Sequence, residues 1–112
     1  MVAAHHASRR ALSLCEGDLE EFARFLAQRF REEQRGRLRR LFSALATCTN
    51  SEEARAIIAF HYQRVEDERV REALQRLFES LRVDDEKFRR CIAPKLRPLF
   101  NFTMYYMLVQ GR

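Results

Sequence analysis

Apolar residues recur three and four positions apart along most of the chain, the spacing that gathers side chains onto one face of an α-helix. The first stripe is Leu19, Phe22, Phe25, Leu26 and Phe30, opened by Asp18 with Glu21 three residues on, a capping-box-like start. Gly36 is expected to weaken or break this helix. A second stripe, Leu38, Leu41, Phe42 and Leu45, ends in the polar cluster 47–51. Asn50 with Glu53 starts a third, carried by Ala54, Ile57, Ile58, Tyr62 and Val65. The acidic run Glu66, Asp67, Glu68 either begins a new helix or lies on a solvated face, ahead of the fourth stripe Val70, Leu74, Leu77, Phe78 and Leu81. Asp84 is a plausible N-cap for a fifth segment holding Phe88 and Ile92. Pro94 and Pro98 are placed near the first turn of a last helix that stops near Gly111.

The pattern predicts an all-α fold, a compact bundle of five to six helices with no strand. With three Gly and two Pro, the chain has too few turn residues for a many-stranded β fold. Residues 1–16 show no sustained period and are expected to form a flexible N-terminal arm, leaving 17–112 as a single helical domain. At 112 residues and 46% hydrophobic content the chain can build one core. No apolar run approaches a membrane span, and Ala11–Cys15 is too short for a signal-peptide core, so the expected address is the cytoplasm.

Charge adds a sharper hint. Formal net charge is +5, and nineteen of the 21 basic residues are Arg. A GC-rich genome produces such a ratio, and so does selection for the planar fork that Arg offers to phosphate. Placement favours the second reading. Residues 24–40 carry seven Arg against Glu32 and Glu33, whereas 41–81 carry five Arg against seven acids. A basic block beside a near-neutral remainder points to an anionic partner. Arg37 and Arg40 share one helix face, with Arg39 between that face and the core stripe.

No catalytic motif is present: no Gly-rich phosphate loop, no HExxH, no GxSxG. No cofactor and no metal are expected. Cys15, Cys48 and Cys91 form no CxxC pair and are expected to be reduced, mostly buried thiols. His61 reads as a core-edge histidine, with a proton-transfer or RNA contact as the other reading. The aromatic end 100–107 is wider than one core stripe. With Phe100, Met104 and Met107 facing inward, Phe102, Tyr105 and Tyr106 are left for a protein interface, unless a tight bundle buries them all.

Three segments carry a family resemblance. Arg37-Leu38-Arg39-Arg40-Leu41-Phe42 resembles the Gln-Leu-Arg-x-x-[Phe/Tyr] segment of the small all-helical subunit of type III (Csm-type) CRISPR effector complexes. Ile58 to Arg64 is similar to that family's Leu-Ala-Tyr-x-x-x-Arg stretch, and Phe100, Phe102, Tyr106 and Gly111 to its aromatic last helix and terminal glycine. Arg37 stands where the family has Gln, Ile57 where it has Lys, and Ala56 where it has Pro. The resemblance implies a non-catalytic subunit that stacks in copies along a ribonucleoprotein and lines the channel of guide RNA and target RNA. Its contacts would be to the RNA backbone, and Arg37 would partly replace the missing Lys. The expected contact set is Arg37, Arg39, Arg40 and Arg64, with other subunits and copies of itself as protein partners and no membrane. The rival reading is a helical adaptor that dimerises through the aromatic C-terminal helix and has no nucleic-acid role; an enzyme comes third.

Overall fold

Aspartate and asparagine caps set where the helices begin. In the computed structural model, which describes residues 13–110, Asp18 accepts from the Glu20 N–H at 3.0 Å and opens α1 (Leu19–Arg29). The chain leaves the helix at Phe30, makes a 3-10 turn at Glu32–Gln34 and enters α2 (Arg35–Ala46). Asn50 accepts from the Glu53 N–H at 2.8 Å and opens α3 (Ser51–Arg64), while the Glu53 carboxylate takes the Thr49 N–H and hydroxyl. Asp67 caps α4 (Glu68–Ser80), so the acidic run begins a helix. Asp84 caps a single turn, Asp85–Lys87, that passes through a π-helical segment, Phe88–Ile92, into α5 (Ala93–Gln110). Among the described residues there is no strand, and the fold is an all-α bundle.

The predicted stripes supply the core. Phe22, Leu26, Phe30, Leu38, Leu41, Leu45, Ile58, Val70, Leu74, Leu77, Leu81, Phe88 and Ile92 are all buried. Helix α5 packs chiefly on α1 and also on α2. Leu14 lies by Lys95, and Glu20 and Arg24 lie by Tyr106, so α1 and α5 run parallel. Helices α3 and α4 form an antiparallel hairpin closed at both ends. Ser51 Oγ donates to the Leu81 carbonyl at one, and Arg71 Nη1 donates to the Tyr62 and Val65 carbonyls at the other. Helix α2 lies antiparallel to α3, with Arg37 beside His61.

Four expectations need correction. The first break falls at Phe30, the C-cap of α1, whereas Gly36 sits inside the first turn of α2. Residues 13–16 are not part of an arm: Leu14 is fully buried, and its carbonyl accepts from Lys95 Nζ at 3.0 Å. The rest of the arm, 1–12, lies outside the described residues. Cys15 and Cys91 are not reduced thiols but a disulfide that ties the start of the domain to the π segment, leaving Cys48 free. Pro94 falls in the first turn of α5, as expected, but Pro98 sits further along, inside the helix, and Ala93 N–H reaches back five residues to the Phe88 carbonyl, so the helical path runs on from Phe88. No described helix is long and apolar enough to cross a membrane.

Candidate nucleic-acid interface

The basic block 24–40 divides once its side chains are placed. Arg24 donates to the Tyr106 hydroxyl at 3.1 Å, Arg29 pairs with Glu72 at 3.2 Å, and Arg35 pairs with Glu32 at 3.3 Å. These three are engaged within the fold. Arg31, Arg37, Arg39 and Arg40 have no ion-pair partner among the described residues.

Arg37, Arg40 and Arg64 come together around His61. The loop 47–50 turns α2 back along α3, which puts the start of α2 beside the end of α3. Arg37 Nη1 lies 3.0 Å from His61 Nδ1. A guanidinium can only donate, so Nδ1 accepts and the imidazole carries its proton on Nε2. Burial depresses the His61 pKa, and the charges of Arg37, Arg40 and Arg64 depress it further. That ordering agrees with a ring almost out of solvent. His61 is thus a neutral histidine at the foot of a cationic cluster, and no carboxylate joins the groups acting on it.

Arg64 lies over an exposed aromatic ring. Its Cζ is 3.6 Å from the centroid of Phe60, and its Nη1 donates to the Phe60 carbonyl at 3.0 Å. The second bond ties the guanidinium back onto the last turn of α3. Phe60 keeps 51% of its surface exposed and meets the His61 ring edge-on at 5.4 Å. On α2, the Arg40 guanidinium lies back toward the first turn, with Nη1 3.5 Å from where a Cβ on Gly36 would stand. The cluster is a ridge of guanidiniums beside an open aromatic face, a combination that suits phosphates and unpaired bases.

Arg39 does not belong to this cluster. It lines a separate cleft between α2 and α5 together with Arg97. Arg39 is two residues, about 200° of helix, from Arg37, while Arg40 is three residues away and returns to the same side. Of the aromatic trio, only Tyr105 is freely exposed, at 58%, beside exposed Leu108 and Val109. Tyr106 is half-buried and tied to α1: its hydroxyl donates to Glu20 at 3.0 Å and accepts from Arg24, whose guanidinium also lies over its ring. Phe102 is half-buried against the core.

Phe60 was not among the residues the sequence nominates. Its signal was the i,i+4 spacing to Arg64, which on a helix stacks one side chain over the other. The described residues hold no cluster of three or more His, Cys, Asp or Glu suited to a metal ion. No family model, no curated protein and no solved structure matches this chain.

Proposed function

We propose that this protein is a non-catalytic RNA-binding subunit of a ribonucleoprotein that holds the RNA backbone on the Arg37, Arg40 and Arg64 face. The observation that carries the reading is their convergence from two helices around His61, with no ion-pair partner for any of the three among the described residues. Three cations at one place give a phosphate chain several simultaneous charge-assisted bonds, which scattered surface charge does not. Phosphate contacts carry no sequence information, so binding should be weak in isolation and nearly indifferent to sequence. The resemblance to the small subunit of Csm-type complexes supports a backbone-lining role along guide and target RNA, in the cytoplasm, with neighbouring subunits and further copies of the chain as partners. The test is affinity for a short unstructured RNA at low salt. Loss of binding on removing the three Arg is expected, and absence of binding by the intact chain overturns the proposal.

A second reading rests on its own observation. Tyr105, Leu108 and Val109 form an exposed apolar run on α5, which favours a protein contact. Tyr105→Asp with Leu108→Asp should then change the sedimentation behaviour of the protein or of its assembly, with unchanged helical content.

A further inference from the structure

Between α2 and α5 lies a half-open cleft of about 500 Å³ lined by Arg39, Phe42, Leu45, Cys48, Leu96, Arg97 and Phe100 among others. Its size falls in the range of about 300–1,000 Å³ common to small-molecule sites. The floor is aliphatic and aromatic, built by Phe42, Leu45, Leu96 and Phe100, and the Phe42 and Phe100 rings meet at a 44° tilt with centroids 5.5 Å apart. Charge enters only through Arg39 from α2 and Arg97 from α5. Neither guanidinium has an ion-pair or hydrogen-bond partner among the described residues, and no acidic side chain lines the cleft.

We propose that this cleft binds an amphipathic carboxylate, a medium-chain fatty acid or similar molecule, with its apolar tail on the Phe42–Phe100 floor and its carboxylate held between Arg39 and Arg97. Two requirements fix the class. An apolar floor rewards a hydrocarbon or aryl tail, and two unpaired planar forks on facing helices suit a planar two-oxygen anion. A bare phosphate would leave the floor empty, and a neutral lipid would leave both charges unanswered. This site is independent of the RNA face, from which Arg39 is turned away.

Cys48 lines the same cleft and is the free thiol of the chain, because the other two cysteines are bonded to each other. Its alkylation by iodoacetamide therefore reports occupancy. With the intact, oxidised protein at mildly alkaline pH, decanoate below its micelle concentration should slow Cys48 alkylation in a saturable way. Isothermal calorimetry should give the matching dissociation constant. From hexanoate to decanoate each added methylene should tighten binding about two- to fourfold, as burial of a CH₂ group predicts. Decanol should bind about tenfold more weakly than decanoate. Arg39→Gln with Arg97→Gln should weaken decanoate about tenfold and leave decanol unchanged, with helical content checked by circular dichroism. The inference is overturned if decanoate neither protects Cys48 nor gives heat, if decanol protects as well as decanoate, or if the double variant binds decanoate like the parent.

Discussion

Replacing Arg37, Arg40 and Arg64 together by Ala should change how RNA affinity depends on salt. Each phosphate neutralised on a single strand contributes a slope of about 0.7 to the fall of log K with log salt. Three such contacts contribute about 2. Between ~50 and ~200 mM salt, that share alone weakens the parent roughly 18-fold, and the variant should lack it. Fluorescence polarisation of a labelled, unstructured oligonucleotide across that range reads the slope directly. Arg37 also hydrogen-bonds His61, and Arg64 covers Phe60, so a thermal melt must accompany the titration. An exposed cation–π pair is worth about 0.5–1 kcal/mol, so the variant should stay folded. The control must remove the same charge from elsewhere. Arg71 is unsuitable although it sits among acids, because it donates to the Tyr62 and Val65 carbonyls and lies over the Tyr62 ring. Arg69, Arg82 and Arg89 are exposed and have no ion-pair partner among the described residues. Their triple replacement should leave most of the slope in place. Equal flattening by both triples would show that net charge governs binding, and the site assignment would be refuted.

Three further outcomes are expected. Cys15→Ser with Cys91→Ser opens a link spanning 76 residues, and on the chain-entropy account should lower unfolding free energy by about 4–5 kcal/mol in urea melts. Ser51→Ala removes the buried hydroxyl that donates to the Leu81 carbonyl and should cost about 1–3 kcal/mol by the same measurement. The His61 pKa is depressed in the fold, so its neutral form is favoured there; its contribution to stability is present above its ordinary pKa and is lost as pH falls below it. Imidazole resonances followed by NMR should show this depressed pKa. They should also show it rising in Arg37→Ala and on addition of RNA, whose phosphates offset the neighbouring guanidiniums.

Local chemistry was legible in the sequence. Asp18, Asn50 and Asp84 announce their helices because a cap needs only a side chain and an N–H two or three residues away. The core stripes were legible for the same reason, since helical spacing alone puts Leu38, Leu41, Phe42 and Leu45 on one face. The union of Arg37, Arg40 and Arg64 was accessible once a short loop implied antiparallel neighbours. Arg39 could have been separated from them by the 100° step alone. Long-range pairings left no local trace. Nothing near Cys15 names Cys91, and the Glu20 and Arg24 that hold the Tyr106 hydroxyl come from more than 80 residues away. Gly36 does not break a helix because it falls in the first turn of α2, where a weak helix former costs little, and the break lies at Phe30, inside the apolar stripe, where spacing alone gives no stop signal.

The central claim, that RNA phosphates sit on the face built by Arg37, Arg40 and Arg64, is tested most directly by NMR of the arginine Nε–Hε groups during titration with a short oligouridylate. The account expects the Arg37, Arg40 and Arg64 resonances to shift together and saturably, with the His61 imidazole following, while Arg69, Arg82 and Arg89 stay in place. Shifts spread evenly over the arginines, or confined to others, would contradict it.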